Sequence, residues 1–159
     1  MDKYIVTRQE IEDFDGLHKT HFLNDGASRL NKSLGDLTGL TGFGFHIVEL
    51  QPDRFSAEYH VHHFEDECVY ILEGEAEAVI GDEVHKVTAG DFIGYRAGGE
   101  AHSLKNSGRG LLKCIVVGGR LDHDVCDYPK IRKRLFRSER MKGSLVDMDA
   151  IEQPVFGEK

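Results

Sequence analysis

Cysteine and proline are scarce in this sequence, and long hydrophobic stretches are absent. The chain has three cysteines, an odd number without a CxxC pair, so a disulfide framework is not expected. No apolar run approaches the roughly 18 residues of a transmembrane helix. The opening stretch, MDKYIVTRQEIEDFDG, lacks the apolar segment of a signal peptide. We therefore expect a reduced, cytoplasmic protein without membrane partners.

The motifs of several common enzyme classes are also missing. The chain contains no GxSxG, no P-loop and no zinc-type CxxC, and its GFGF lacks the later glycine of a dinucleotide fingerprint. The formal net charge is −8 at pH 7. Since nucleic-acid binding needs a positive field to neutralise phosphates, this charge argues against a general nucleic-acid binder.

Short apolar runs separated by turn residues dominate the middle of the chain. Glycine is abundant, with 18 residues against three prolines. The runs read FGFHIVEL, CVYILEG, EAEAVIG, EVHKV, DFIGY, HSLKN and LLKCIVVG. This spacing predicts an all-β sandwich or barrel, with a tight hairpin at Gly81-Asp82. The 159 residues suit one domain, in which these runs occupy about 40–120 between flanking extensions 1–39 and 121–159.

The two flanks differ in character. Near the start, Thr7 and Glu10 form a capping-box pattern that predicts a short helix. Near the end, residues 127–142 carry seven lysines and arginines against two acidic residues, a net charge of 7 − 2 = +5. This basic segment could contact an anionic partner. We favour the alternative, a solvated strand and loop neutralised by the acidic body.

The segment EYHVHHFEDECVYILEG, residues 58–74, concentrates the candidate chemistry. Because side chains alternate along a strand, His60 and His62 share one face and His63 the other. An acidic turn containing Glu65 and Asp66 then reverses the chain, and Glu67 can return beside the two histidines. Two imidazoles and a carboxylate are suitable metal ligands. The best fourth ligand elsewhere in the chain is His102, which follows a glycine-rich turn.

The spacing of these residues resembles the first motif of the cupin superfamily, HxH(x)4E(x)6G. It is matched here by His60, His62, Glu67 and Gly74. The resemblance extends to small single-domain bacterial cupins. It implies a double-stranded β-helix, a jelly-roll-like barrel, with a metal ion inside held by three histidines and one glutamate. It also implies a homodimer formed through edge strands.

A second cupin motif, G(x)5PxG(x)2H(x)3N, is matched by Gly90, Gly98, His102 and Asn106, with one extra residue before the histidine. Arg96 replaces the usual proline, either near the substrate mouth or, as we favour, pointing outward. Arg54 replaces a glycine of the first motif. Neither position is a ligand in the resemblance, so the predicted metal site is unaffected.

The remaining histidines and cysteines carry weaker patterns. We expect His46 to be packed in a strand and His85 to be exposed, and Cys68 to lie outside the barrel because its parity is opposite to that of Glu67. No pattern assigns a role to His18, His21 or His123.

Three histidines and one carboxylate would leave open positions on Mn²⁺, Fe²⁺, Ni²⁺ or Zn²⁺. Such a site could polarise a substrate oxygen or activate a bound water. We therefore expect a metal-dependent enzyme acting on a small oxygen-rich molecule, as an isomerase, decarboxylase or dioxygenase. Glu67 and a metal-bound water are the best candidates for catalysis. The alternative is a non-catalytic cupin that binds or senses a small-molecule effector.

Overall fold

The computed structural model of the protein describes residues 3–155 and 157, and the fold is built almost entirely of antiparallel strands. The helices are α1 (Arg8–Asp13) and α2 (Leu34–Leu37), with short 3-10 turns at Pro129–Ile131 and Met148–Ala150. The strands are β1 (Leu17–His21), β2 (Asn24–Ser33), β3 (Phe43–Leu50), β4 (Val61–His62), β5 (Glu67–Glu73), β6 (Glu75–Ile80), β7 (Glu83–Thr88), β8 (Phe92–Tyr95), β9 (His102–Asn106), β10 (Leu112–Gly119), β11 (His123–Tyr128), β12 (Lys133–Ser138) and β13 (Met141–Asp147).

These strands form two layers. One layer is a six-stranded sheet in the order β1-β2-β3-β10-β5-β8. The other consists of a three-stranded sheet, β7-β6-β9, and a four-stranded sheet, β13-β12-β11-β4. An isolated bridge between His60 and His102 joins these two smaller sheets. The arrangement is the double-stranded β-helix predicted from the sequence.

The apolar core lies between the six-stranded and three-stranded sheets. Alternation along β3, β5 and β10 sends one set of side chains inward, where it meets alanines and a leucine from β6 and β9. The buried cluster comprises Val48, Leu50, Val69, Ile71, Ala76, Ala78, Ile93, Tyr95, Leu104, Leu112 and Cys114. Every apolar run identified in the sequence contributes a strand, and Gly81-Asp82 turns between β6 and β7 as predicted.

Both flanks extend the barrel sheets. The capping box is present: Thr7 Oγ1 accepts from the Glu10 backbone, and the Glu10 side chain accepts from the Thr7 backbone. The β1–β2 hairpin then covers the edge of the core sheet, because β2 pairs with β3. An exposed barrel edge would be open to pairing with other chains. At the other flank, β11–β13 complete the four-stranded sheet.

The basic segment 127–142 forms part of β11–β13 and is largely neutralised by nearby acids. Arg134 forms a two-pronged ion pair with Asp127, at 2.6 and 2.8 Å. Lys133 contacts Asp147 at 2.5 Å, and Arg137 contacts Glu65. These contacts agree with the preferred interpretation of a neutralised strand.

None of the helices described here is both long and apolar enough to cross a membrane.

Asn106, the asparagine of the second motif, connects loops at the base of the barrel. Its side chain is fully buried. The amide nitrogen donates to the carbonyl oxygens of Leu50 and Gly110, at 2.8 and 2.9 Å, and Oδ1 accepts from the Gly108 backbone at 3.0 Å. One side chain thus satisfies three backbone groups that strand pairing leaves free.

Asn106→Ala should therefore lower the free energy of unfolding by roughly 2–4 kcal/mol, because buried backbone groups lose their partners. The matched control is Ser107→Ala in the same turn, at an exposed position, which should stay within about 0.5 kcal/mol of wild type. Urea unfolding followed by circular dichroism measures both values. Equal stability of the two variants would contradict this role for Asn106.

Candidate metal centre

The cavity between the layers begins where the backbones of His60 and His102 meet. Each residue donates its N–H to the carbonyl oxygen of the other, at 3.0 and 2.8 Å. This reciprocal pairing places the two imidazoles side by side, with ring centroids 4.7 Å apart. The ring of His62, on the same face of the chain as His60, lies 5.0 Å from that of His60. The three predicted histidine ligands are therefore neighbours.

Each of these imidazoles is held through its Nδ1 atom. His60 Nδ1 contacts the carbonyl oxygen of Glu58 at 2.7 Å, and His102 Nδ1 contacts that of Glu100 at 3.3 Å. His62 Nδ1 contacts the Asp124 carboxylate at 2.6 Å. All three partners are acceptors, so Nδ1 carries the hydrogen and Nε2 keeps the lone pair that a metal requires.

Glu67 completes the group from the opposite layer. It begins β5, between Tyr95 of β8 and Gly118 of β10. Potential ligand atoms of His60, His62 and Glu67 all lie within 4.8 Å of one another. Burial raises the pKa of the Glu67 carboxyl above its ordinary value, because the charged form loses hydration there. A cation at this position would compensate that loss.

Burial also keeps two of the histidines neutral. Desolvation lowers the pKa of His60 to about 3 and that of His102 to about 4. The His102 ring stacks on Tyr95 with centroids 3.6 Å apart. Its Nε2 atom is buried and has no hydrogen-bond partner in the part of the chain described. An unpartnered buried acceptor is costly, so this atom fits a ligand position.

His102 lies slightly apart from the closest group. It lines the same cavity as the other three predicted ligands but is not among the residues whose ligand atoms fall within 4.8 Å. The structure thus brings together His60, His62 and Glu67 and places His102 beside them. Ligation of a metal by all four residues stays a prediction.

Asp124 and Glu65 contribute in ways that the sequence did not indicate. The Asp124 side chain is 1% exposed and accepts hydrogen bonds from His62 Nδ1 and from the Phe64 backbone. Glu65, predicted as a turn residue, is buried, accepts from the Leu121 backbone at 2.6 Å and pairs with Arg137. A carboxylate behind a histidine ligand orients the ring and raises its basicity, which is the position of Asp124.

The cavity above these residues has a volume of about 320 Å³, at the lower end of the range for small-molecule sites. Two histidines without predicted roles line it, His21 and His46. Burial lowers the pKa of both imidazoles. His46 contacts the Asn31 side chain at 3.2 Å, and His21 Nδ1 accepts from the Leu23 backbone at 3.2 Å. The His21 interaction leaves the ring hydrogen on Nε2.

Four further residues near the motifs were not predicted to be ligands. His63 contacts Asp127 at 2.8 Å, on the face opposite to His62, as strand alternation predicted. Arg96 is exposed and Cys68 does not line the cavity, both in agreement with the sequence. Asp66, placed by the sequence in the acidic turn, is exposed and accepts a hydrogen bond from the Ala97 backbone at 2.7 Å.

Comparison with known proteins identifies the family. A family model described as "Cupin domain" matches residues 46–118. The structure of a candidate sugar phosphate isomerase from Acidithiobacillus ferrooxidans has 44% identical residues and a TM-score of 0.92. That match covers 95% of this chain and 96% of the other. The chain belongs to the cupin superfamily. No curated protein sequence matches this cupin significantly.

Two more distant structures share the fold of this cupin. A sugar phosphate isomerase of the cupin superfamily from Silicibacter pomeroyi is 26% identical, with a TM-score of 0.75 over 87% of this chain and 90% of that one. A protein predicted to be an oxalate decarboxylase, from Thermotoga maritima, is 21% identical, with a TM-score of 0.59 over 74% of this chain and the whole of that one. At that identity, the last comparison supports the fold alone.

The affinity for Mn²⁺ or Zn²⁺ should fall when any one of the predicted ligands His60, His62, Glu67 and His102 is replaced by alanine. The loss should be larger than that caused by removing a hydrogen-bond partner of a ligand. Asp124→Ala, which removes such a partner, should cost about 10- to 100-fold. His63→Ala is the control, because its ring contacts Asp127 away from the cavity. Calorimetric titration of chelator-treated protein measures the affinities. Loss of the metal in His63→Ala but not in His62→Ala would place the ligands on the other face of the strand.

Acid should destabilise the metal-free protein in part through His60, which is 8% exposed. Its pKa is lowered from 6.5 to about 3, so between these values the unfolded chain binds a proton that the folded chain does not. The free energy of unfolding therefore falls as pH drops below about 6.5, by about 1.4 kcal/mol per pH unit from this residue. His60→Gln should remove that contribution, measured by urea unfolding at about pH 6 and about pH 5. If the free energy of unfolding of His60→Gln changes with pH as much as that of the wild type, the pKa of His60 in the folded protein is not lowered.

Proposed function

We propose that this cupin is a metal-dependent isomerase of small sugar phosphates. The observation that carries the proposal is the convergence of three Nδ1-anchored histidines and one carboxylate, His60, His62, His102 and Glu67, on an open cavity. The choice of reaction draws on the candidate sugar phosphate isomerase that is 44% identical over nearly the whole chain. Decarboxylation and oxygenation, both compatible with the sequence, lack comparable support.

The residues present fit a divalent ion with mixed nitrogen and oxygen ligation, so Mn²⁺, Fe²⁺, Ni²⁺ and Zn²⁺ are the candidate metals. When bound, such an ion supplies Lewis acidity to neighbouring oxygens of a substrate. The unpartnered Nε2 of His102 supports a ligand at this point. Asp124 holds His62 in the required orientation.

Isomerisation of a sugar moves a proton between neighbouring carbons, so the chain must also provide groups that hold or donate protons. His21 and His46 line the cavity outside the predicted ligand set. Burial lowers both pKa values, so both rings are mainly neutral near pH 7. The neutral His21 ring presents its Nε2–H as a donor to a substrate oxygen, because Nδ1 already accepts from the Leu23 backbone.

We also propose that the protein acts in the cytoplasm as a homodimer. The three cysteines are free, which suits a reducing compartment. The outer face of the six-stranded sheet carries a continuous set of apolar side chains, which supports association with a second copy. This set comprises Phe45, Ile47, Tyr70, Leu72, Phe92, Ile115 and Val117. Phe92 is 66% exposed and Tyr70 42% exposed.

The test of function is turnover by protein loaded separately with Mn²⁺, Fe²⁺ without oxygen, Ni²⁺ or Zn²⁺. The panel contains aldose and ketose phosphates, the corresponding free sugars, and oxo acids. At least one sugar phosphate should be converted to its isomer, detected by NMR, with a rate that depends on the metal. Activity should vanish in His62→Ala and persist in His63→Ala.

Two outcomes would overturn the proposal. If panel compounds raise the melting temperature but none is consumed with any metal, the cupin is a binding or sensing module. If an oxo acid is consumed while no sugar phosphate reacts, the site performs a different reaction on the same fold.

A further inference from the structure

Two positive charges meet where the paired strands β1 and β2 line the cavity. Lys19 of β1 and Arg29 of β2 lie directly across from each other in the strand pairing, and both side chains line the cavity. Like charges at directly opposed positions of an antiparallel pair repel each other. An anion bound between them would be attracted by both side chains and would offset their repulsion.

Arg29 is the less hydrated of the two cations. Burial is the main cause that lowers the pKa of its guanidinium. Nη1 donates to the carbonyl oxygen of Ser56, whereas the buried Nε–H has no partner among the residues described. Since a buried charge with an unused donor is unfavourable, this group is suited to an anionic ligand.

The other cavity-lining arginines already have carboxylate partners. Arg120 pairs with Asp36 at 2.6 Å, and Arg137 pairs with Glu65. Within residues 3–155 and 157, neither Lys19 nor Arg29 forms an ion pair. Among carboxylates, the charge of Glu67 acts most strongly on Arg29, and that carboxylate is a predicted metal ligand. Two cations without an ion-pair partner in the described part of the chain therefore face the cavity.

The acidic residues that line the cavity come from other elements than β1 and β2. They are Glu65, Asp66, Glu67 and Asp124, from the turn before β5, from β5 itself and from β11. Two unpaired cations from β1 and β2 thus share the cavity with the acids and the predicted metal ligands. A substrate with an oxygen-rich end and an anionic end would match the metal ligands and the cations respectively.

We propose that Arg29 and Lys19 form the subsite that binds the phosphate group of the substrate. The inference rests on the proposed function for the choice of phosphate as the anion. The Arg29 guanidinium provides directed N–H donors to phosphate oxygens, and the exposed Lys19 ammonium adds charge at the cavity mouth. The sugar end then points towards His60, His62 and Glu67.

The test is calorimetric titration of inorganic phosphate into the metal-loaded protein at constant ionic strength, because salt screens exposed charges. Arg29→Gln should weaken phosphate binding at least about tenfold, since it removes a charge-assisted contact. Lys19→Gln should weaken it less, and Arg29→Lys should fall between wild type and Arg29→Gln. Bound metal should not decrease in Arg29→Gln, because removing a cation near Glu67 cannot repel a metal ion.

The matched control is Arg109→Gln, which makes the same chemical change at an exposed position outside this cavity. It should bind phosphate within about twofold of wild type. If Arg109→Gln weakens phosphate binding as much as Arg29→Gln does, the affinity depends only on net charge, and the subsite is rejected. Unchanged binding in Lys19→Gln and Arg29→Lys would reject it too, even if Arg29→Gln fails to fold. An absence of phosphate binding by the wild type has the same consequence.

These results separate the subsite from the reaction. Phosphate binding that depends on Arg29, with no isomerisation of any sugar phosphate, would overturn the proposed reaction and leave the subsite in place. Isomerisation of free sugars by a protein that does not bind phosphate would overturn the subsite and leave the metal-dependent reaction in place.

Discussion

Two backbone hydrogen bonds between His60 and His102 connect the barrel to its candidate site. They join the three-stranded sheet to the four-stranded sheet, and so close one layer of the double-stranded β-helix. The same contact sets the two imidazoles beside each other and brings His62 of β4 to the cavity. Any change that separates these strands would disturb the fold and the predicted metal ligands together.

The interior of this barrel combines an apolar core with a polar cavity. The core is filled by aliphatic side chains from facing sheets. In the cavity, histidines are kept neutral by burial, and each of the three predicted ligands is anchored at Nδ1. Such polar groups stabilise a fold less than apolar packing does. Their presence here is better explained by binding than by stability.

Local sequence patterns were sufficient to predict the strands of the barrel core, the turn at Gly81-Asp82 and the orientation of the neighbouring histidines. Alternation along residues 60–63 placed His62 inward and His63 outward, as observed, because side-chain direction in a strand depends only on the local backbone. Turn residues located the β6–β7 hairpin, and Thr7 with Glu10 located α1 for the same local reason. The convergence of Glu67 with the histidines followed from one reversal of the chain.

Contacts between strands that are distant in the sequence could not be predicted from local patterns. His62 and Asp124 are separated by 62 residues, and neither position shows a pattern that links them. Glu65 was predicted only as a turn residue, yet the approach of Arg137 on β12 and of the Leu121 backbone makes it a buried partner. In such cases the relevant information is the register of strands and the packing of layers.

The amino-acid sequence therefore specified the all-β fold, its family and the residue types of the candidate metal centre, since short-range alternation and spacing encode them. The pair of cations in the same cavity arose only when β1 and β2 paired and set Lys19 across from Arg29. His21 and His46 also became cavity residues through this assembly. Long-range pairing brings together side chains whose separation along the chain carries no periodic signal, and a cavity is defined by those side chains.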